Sequence, residues 1–176
     1  LLKQIKETFI NLKDGNKLMD DKDLDKIVNA IIKYADLQNN REKDYIFNIE
    51  KFSEVVGKTG PYVLYTYLRI TKILNIEKFS LELSNNIYNK QDRDLRLEII
   101  NFELYIDNAF ESRNPFCIAE YLYNLCVISN TFYQNNHISN LDDDIKKNDW
   151  LYVLNLTKDL IKKLLELLII EIPTKM

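Results

Sequence analysis

The chain has 176 residues, 46% hydrophobic and 29% charged, enough for one folded core and too apolar for a disordered segment. Three glycines and three prolines are too few for the many turns of a sheet-rich fold, so long helices are expected. A net charge of −3 excludes binding to nucleic acid through a globally basic surface; any such contact must be local and must rely on stacking.

In chain order, Leu1 to Lys13 reads as a short amphipathic helix with Leu2, Ile5, Phe9 and Leu12 in phase, stopped by Asp14-Gly15-Asn16. Asp21 caps the next predicted helix, Lys22 to Tyr34, with Leu24, Ile27, Val28, Ile31 and Ile32 inward. Gln38 to Asp44 is a polar loop. Tyr45 to Ile49 alternates and is the one expected strand. A short helix from Glu50 to Val56 ends at Gly57. Further helices are expected over Gly57 to Leu74, Ile76 to Tyr88, Asp92 to Asn101 and Leu104 to Phe110, with Asn85, Asn86 and Asn89 weakening the end of the second. Asn114-Pro115 is a cap followed by a first-turn proline, and it starts a helix reaching about Asn135. Ser139 to Asp149 reads as a polar, acidic loop. Asp149 caps a last helix from Trp150 to about Ile170, whose Leu151, Leu154, Ile161, Leu164, Leu165 and Leu168 repeat at helical spacing before Pro173 forbids continuation. The fold class is therefore mainly α: an antiparallel helical bundle preceded by a small helical and strand-bearing connecting segment.

Much chemistry is excluded. The three glycines do not form a phosphate loop. One histidine and two cysteines cannot make an ordinary structural zinc site. Cys117 and Cys126 are nine residues apart on one predicted helix, about 13 Å by helical rise, too far for a disulfide, which fits a reducing compartment. The longest apolar run, Leu164 to Ile170, is interrupted by Glu166 and too short to span a bilayer. Asp142, Asp143 and Asp144 read as a solvated charge run.

Two stretches stand out. Gly57 to Leu74 opens with Thr59 as a cap and Pro61 in the first turn. Tyr62, Tyr65 and Arg69 then share one helical face, while Val63, Tyr67, Ile70 and Leu74 mark an adjoining face expected to be buried. No acidic residue lies between Glu54 and Glu77, but Lys58, Arg69 and Lys72 do. The second stretch is the uncharged interval between Glu120 and Asp142. Its end carries Asn130, Tyr133, Gln134, Asn135, Asn136 and His137, and Tyr133 and His137 fall on one face if the helix lasts that long. Rings beside amides are how unpaired RNA is held; a helix end with local caps accounts for the same residues.

Several blocks together resemble the carboxyl-terminal part of arginyl-tRNA synthetases. Lys33-Tyr34-Ala35-Asp36-Leu37-Gln38-Asn39-Asn40-Arg41, followed by Tyr45-Ile46-Phe47, is similar to the family's K-Y-A-D-L-x-N-N-R…Y-x-F segment. Gly57 to Leu74 resembles the G-x-T-G/A-x-Y-x-x-Y-x-x-x-R-I block of its first anticodon-binding helix. Asn114-Pro115, Ala119 to Leu125 and Phe132-Tyr133 are similar to its E-P…L-A-E-Y-L-Y-x-L-A…F-x-x-F-Y helix. Ile170 to Met176 resembles the G-I-x-V-P-E-R-M ending.

The resemblance implies a parent that attaches arginine to its tRNA using ATP with Mg. The nucleotide-binding motifs of that parent, His-x-Gly-His and K-x-S-K, do not occur here, so a fragment without its amino-terminal catalytic domain, non-catalytic alone and with no cofactor of its own, is expected. Residues 1–56 would be the end of the catalytic and stem-contact region, and 57–176 the DALR-type anticodon-binding domain. The implied partner is the anticodon stem-loop of arginine tRNA, in the cytoplasm, away from membranes, by a monomer. Carried over by motif, the tRNA-binding residues are Tyr65, Arg69, Tyr133, His137 and Met176. The chain departs from the family at Tyr67, where a histidine is usual, at Trp150, where an arginine is common, and at Leu164 and Ile169, where glycines are common. The anticodon-binding bundle of another synthetase, such as that for glycine or cysteine, and a protein-interaction bundle without RNA are the rival readings.

Overall fold

The computed structural model describes residues 1–12, 19–84 and 86–176, Ser139 by its backbone alone. Its α-helices are α1 (Leu2–Leu12), α2 (Asp21–Leu37), α3 (Ile49–Ser53), α4 (Gly60–Ile76), α5 (Lys90–Ile100), α6 (Phe102–Ser112), α7 (Phe116–Asn135) and α8 (Asp144–Leu167), with a 3-10 turn at Ile138–Asn140. Among the described residues there is no strand, and no helix is long and apolar enough to cross a membrane. The expected helix stop at Asp14-Gly15-Asn16 and the expected role of Asn85 lie outside the described residues.

α7 is the hub of the bundle: α4, α5, α6 and α8 all pack on it, while α2 lies against α4 and α1 sits on α2 and α3. Leu122, Leu125 and Phe132 from α7 are fully buried with Leu151, Leu154, Ile161, Leu164 and Leu165 from α8. One hydrophobic cluster runs from Ile5 and Phe9 of α1 to Ile170, so residues on both sides of Gly57 share a core. Tyr34, with no exposed surface, extends its phenol from α2 into this core and donates to the Ala119 carbonyl at 2.8 Å. Cys117 and Cys126 are both free thiols, and burial pushes the Cys126 thiol up, away from thiolate chemistry.

The start of α4 is fixed by local chemistry and by a close approach. Gly57 has φ 75, a left-handed conformation that glycine adopts without a Cβ penalty. Thr59 accepts from the Tyr62 N–H at 3.2 Å and donates to the Glu54 carbonyl at 2.7 Å, and Pro61 occupies the first turn. Gly60 lies against the backbone of α2: a Cβ there would stand 2.4 Å from the Ala30 carbonyl oxygen. α4 is buried more broadly than its predicted face, because α2, α7 and α8 all contact it. Val63, Leu64, Thr66 and Ile70 are buried, and Tyr67 and Leu74 are half-buried.

Several expectations are corrected. Tyr45 to Asn48 is not a strand: its rings fold over α3, Phe47 stacking on Phe52 at 5.3 Å and Tyr45 meeting Phe52 edge-on at 6.3 Å. Packing two rings on one helix satisfies the alternation without any partner strand. α1 buries only Ile5 and Phe9, leaving Leu2 and Leu12 exposed. Residues 77–84 and 86–89 are not helical. They are strapped to α8: Asn148 accepts from the Ser80 N–H at 2.6 Å and donates to the Glu82 carbonyl, and Asp149 accepts from the Ser84 N–H, the Ser84 hydroxyl and the Tyr88 hydroxyl. Asp149 is therefore not a cap. The cap is Asp143, accepting from the Lys146 N–H at 3.0 Å, so the acidic run begins a helix rather than filling a loop. Asp20, not Asp21, likewise occupies the N-cap position of α2.

The end of α8 shows why one departure from the resembled family matters. The Ile170 N–H donates to the Leu165 carbonyl at 2.9 Å and the Ile169 N–H to the Glu166 carbonyl at 3.0 Å, which is the Schellman closure. That closure needs a left-handed residue, and Ile169 supplies it at φ 54, a strained conformation for a β-branched side chain.

Three outcomes follow. Ile169→Gly relieves the strain and should raise stability by about 0.5–1 kcal/mol, net of the added unfolded-state entropy, read as a higher Tm. Gly60→Ala forces α4 away from α2 and should cost about 1–3 kcal/mol, measured by denaturant unfolding. Burial raises the pKa of Asp149, but the Ser84 and Tyr88 hydrogen bonds and nearby Arg96 outweigh it and leave the carboxyl below its ordinary 3.8. Its contribution is thus present above the unfolded-state pKa and lost as pH falls through the folded one. Asp149→Asn should lower the Tm at pH 7 and flatten its decline below about pH 4.

Candidate nucleic-acid interface

Along the outer side of α4, Tyr65, Arg69 and Lys72 follow at intervals of four and three, which aligns them in one strip. Across from that strip lie the last three residues. Between the two is a cleft of about 630 Å³ lined by Tyr65, Arg69, Lys72 and Asn75 on one side and by Thr174, Lys175 and Met176 on the other. Tyr65 is 42% exposed and Met176 half-buried, so both offer surface to a ligand while staying anchored.

Tyr133 joins the cleft through Arg69. The guanidinium carbon of Arg69 sits 4.5 Å from the Tyr133 ring centroid, a cation–π arrangement that links α4 to α7. Arg69 also donates to the Asn130 side-chain oxygen at 3.4 Å. Asn130 in turn donates to the Tyr62 hydroxyl at 3.1 Å and the Thr66 hydroxyl at 2.9 Å. The position of Arg69 is thereby fixed from below by a polar network and from the side by a ring. Burial, the largest influence, raises the Tyr62 phenol above its ordinary pKa, so it stays a neutral hydrogen-bonding group.

The end of α7 differs from the sequence expectation. Gln134, Asn135 and His137 are exposed, but Asn136 is buried and Asn130 and Tyr133 are half-buried. The Asn136 amide is consumed internally, donating to the Phe132 carbonyl at 2.8 Å and accepting from Asn89 at 2.7 Å. α7 ends at Asn135 and Asn136 is extended, with φ −126 and ψ 105. His137 therefore leaves the helical face of Tyr133 and stands exposed before the 3-10 turn.

The structure thus brings Tyr65, Arg69 and Met176 into one cleft and Tyr133 onto its edge, and it sets His137 beyond the helix end. Lys72, Asn75 and the Thr174-Lys175 pair were missed. Lys72 had a usable signal, since it is three residues past Arg69 on the same strip. The tail residues had none, because only tertiary packing brings them to α4. The third cation of this region, Lys58, is a structural group: it pairs with Glu120 at 3.2 Å and lies over the Phe116 and Tyr123 rings. Trp150 is core, 3% exposed and edge-on to Phe132 and Tyr88.

Among the described residues, no group of three or more His, Cys, Asp or Glu side chains could hold a metal ion.

A family model, the DALR anticodon binding domain, matches residues 63–176. Arginine–tRNA ligase of Alkaliphilus oremlandii is 34% identical over all of this chain and 31% of that protein. Arginine–tRNA ligase of Francisella tularensis subsp. tularensis is 37% identical over all of the chain and 32% of its own length. The chain spans about a third of the length of these relatives. Among solved structures, arginyl-tRNA synthetase from Plasmodium falciparum superposes with a TM-score of 0.84 at 26% identity, over 100% of this chain and 33% of that one. Thermus thermophilus arginyl-tRNA synthetase superposes with a TM-score of 0.88 at 20% identity, over 99% of this chain and 31% of that one, a likeness of fold. From residue 63 within α4 to the tail that lines the cleft, this chain belongs to the DALR anticodon binding domain family.

Proposed function

We propose that the chain binds the anticodon stem-loop of arginine tRNA, as the tRNA-recognising part of an arginine–tRNA ligase acting in the cytoplasm. The observation that carries this reading is the cleft itself: an exposed tyrosine, an arginine stacked on a second tyrosine and a terminal methionine around one space. Tyr65 and Tyr133 supply rings for unpaired bases, Arg69 supplies charge and a planar stacking surface, and Met176 closes the far side with a soft apolar side chain. His137, exposed beyond the end of α7, is the fifth residue of this reading. Residues 57–176 would form the anticodon-binding unit and residues 1–56 its connection to a catalytic part that uses ATP with Mg. The chain acts as a monomer in this reading.

One face of the Tyr133 ring is already covered by Arg69. A base therefore stacks on the guanidinium that covers the ring, or displaces it and takes its place. In either case Arg69 and Tyr133 act as a pair, and their removal should be non-additive.

The test is binding of arginine tRNA against a noncognate tRNA, measured by gel shift or fluorescence. Preference for the arginine tRNA is expected; equal affinity for both, or none, would overturn the reading. Tyr133→Ala should cost about 1–3 kcal/mol of binding, with Arg69→Ala adding less to that variant than to the wild type. Among the described residues, only Arg69, Lys72 and Lys175 place cationic side chains around the cleft, so the slope of log affinity against log salt should be near −2, following about −0.7 per neutralised phosphate of a single strand.

A further inference from the structure

The last eight residues run along α2 in the opposite direction, and three α2 side chains hold their backbone in order. Lys33 donates to the Ile169 carbonyl, Lys26 donates to the Ile172 carbonyl at 3.2 Å, and Asp23 takes the final turn. Asp23 is 2% exposed. Its carboxylate accepts from the Thr174 N–H at 2.9 Å, the Thr174 hydroxyl and the Lys175 N–H at 3.2 Å. Three donors from two adjacent residues converge on one buried carboxylate, which fixes the path of the chain immediately before Met176. Pro173, buried beside these contacts, fixes its own φ and so narrows the paths open to the tail.

We propose that Asp23 is a positioning residue for RNA binding: it clamps Thr174 and Lys175 so that Met176 closes the cleft opposite Tyr65 and Arg69. This rests on the anticodon reading of the cleft. Asp23 lies outside residues 63–176 matched by the family model, and no contact with the cleft is needed for it to act. The consequence is that α2 belongs to the binding apparatus, because it dictates where the terminal side chain stands. Burial acts to raise the Asp23 carboxyl, and the Thr174 and Lys175 donors outweigh it and keep the group ionised. An ionised acceptor is what a clamp with three donors requires, so a neutral amide in its place can satisfy only part of the set.

The experiment is a double-mutant cycle on the full chain with an arginine tRNA anticodon stem-loop as probe, using Asp23→Asn, Met176→Ala and the double variant. Asp23→Asn should weaken binding roughly three- to thirtyfold in the presence of Met176 and have little further effect on Met176→Ala. An equal loss in both backgrounds would mean a purely structural role and overturns the proposal; so does unchanged affinity. Thr174→Ala, which removes one donor from the tail side and leaves α2 intact, should give a smaller loss of the same kind, and this keeps the test valid should Asp23→Asn fold poorly. Amide hydrogen exchange at Thr174 and Lys175, read without RNA, tests the clamp alone. Faster exchange in Asp23→Asn is expected, and unchanged exchange overturns the clamp whatever the RNA arm shows. Failure of the wild type to bind the stem-loop, with exchange still dependent on Asp23, would overturn the anticodon reading and with it the role of Asp23 in RNA binding, leaving a structural clamp.

Discussion

The governing contact of this molecule is backbone against backbone, Gly60 of α4 on Ala30 of α2. The absent side chain lets the first turn of α4 rest on the middle of α2, where any Cβ would meet the Ala30 carbonyl at 2.4 Å. That contact sets the distance between the two helices. α2 carries the terminal tail through Lys33, Lys26 and Asp23, and α4 carries Tyr65, Arg69 and Lys72. The width of the cleft between α4 and the tail is therefore fixed largely by how closely α2 and α4 can approach, and a glycine is what makes that approach possible.

On the proposed anticodon reading, the cleft reconciles an acidic chain with a polyanionic partner. Proteins that hold nucleic acid by phosphate neutralisation need clustered cations, whereas stacking needs only accessible rings held at low entropic cost. The structure supplies the second. Arg69 is immobilised between Tyr133 and Asn130, and Asn130 is itself satisfied by Tyr62 and Thr66. A side chain already ordered in the free protein loses little freedom when a ligand arrives. The amides that seemed available from composition, Asn130 and Asn136, instead build the floor and the helix end that hold the rings in place.

The irregular stretch between α4 and α5 and the tail after α8 follow one logic. Among the described residues neither forms regular structure, and each has backbone groups bound by side chains on a helix: half-buried Asn148 and buried Asp149 for the first, buried Asp23 for the second. Backbone donors outside helices must find acceptors when they are covered, and ionised carboxylates are the strongest acceptors available. Both carboxylates are held below their ordinary pKa by the donors they bind, against the opposing effect of burial.

Local signals in the sequence determined the helical class, the start of α4 at Thr59 and Pro61, the buried stripe of α8, and the strip that aligns Tyr65 with Arg69. Each depends on residues within about four positions of one another, where helical geometry alone decides who is a neighbour. The quoted motif blocks added Tyr133 and Met176, which no periodicity would have joined to that strip. Tertiary structure alone decided that Tyr45 to Asn48 folds over α3, that residues after Ile76 leave the helix for α8, that Asn136 is spent internally, and that Asp23 holds Thr174 across a separation of 151 residues. These outcomes turn on which polar groups find a partner from a distant part of the chain, and a pattern of neighbouring residues carries no information about a partner it does not contain.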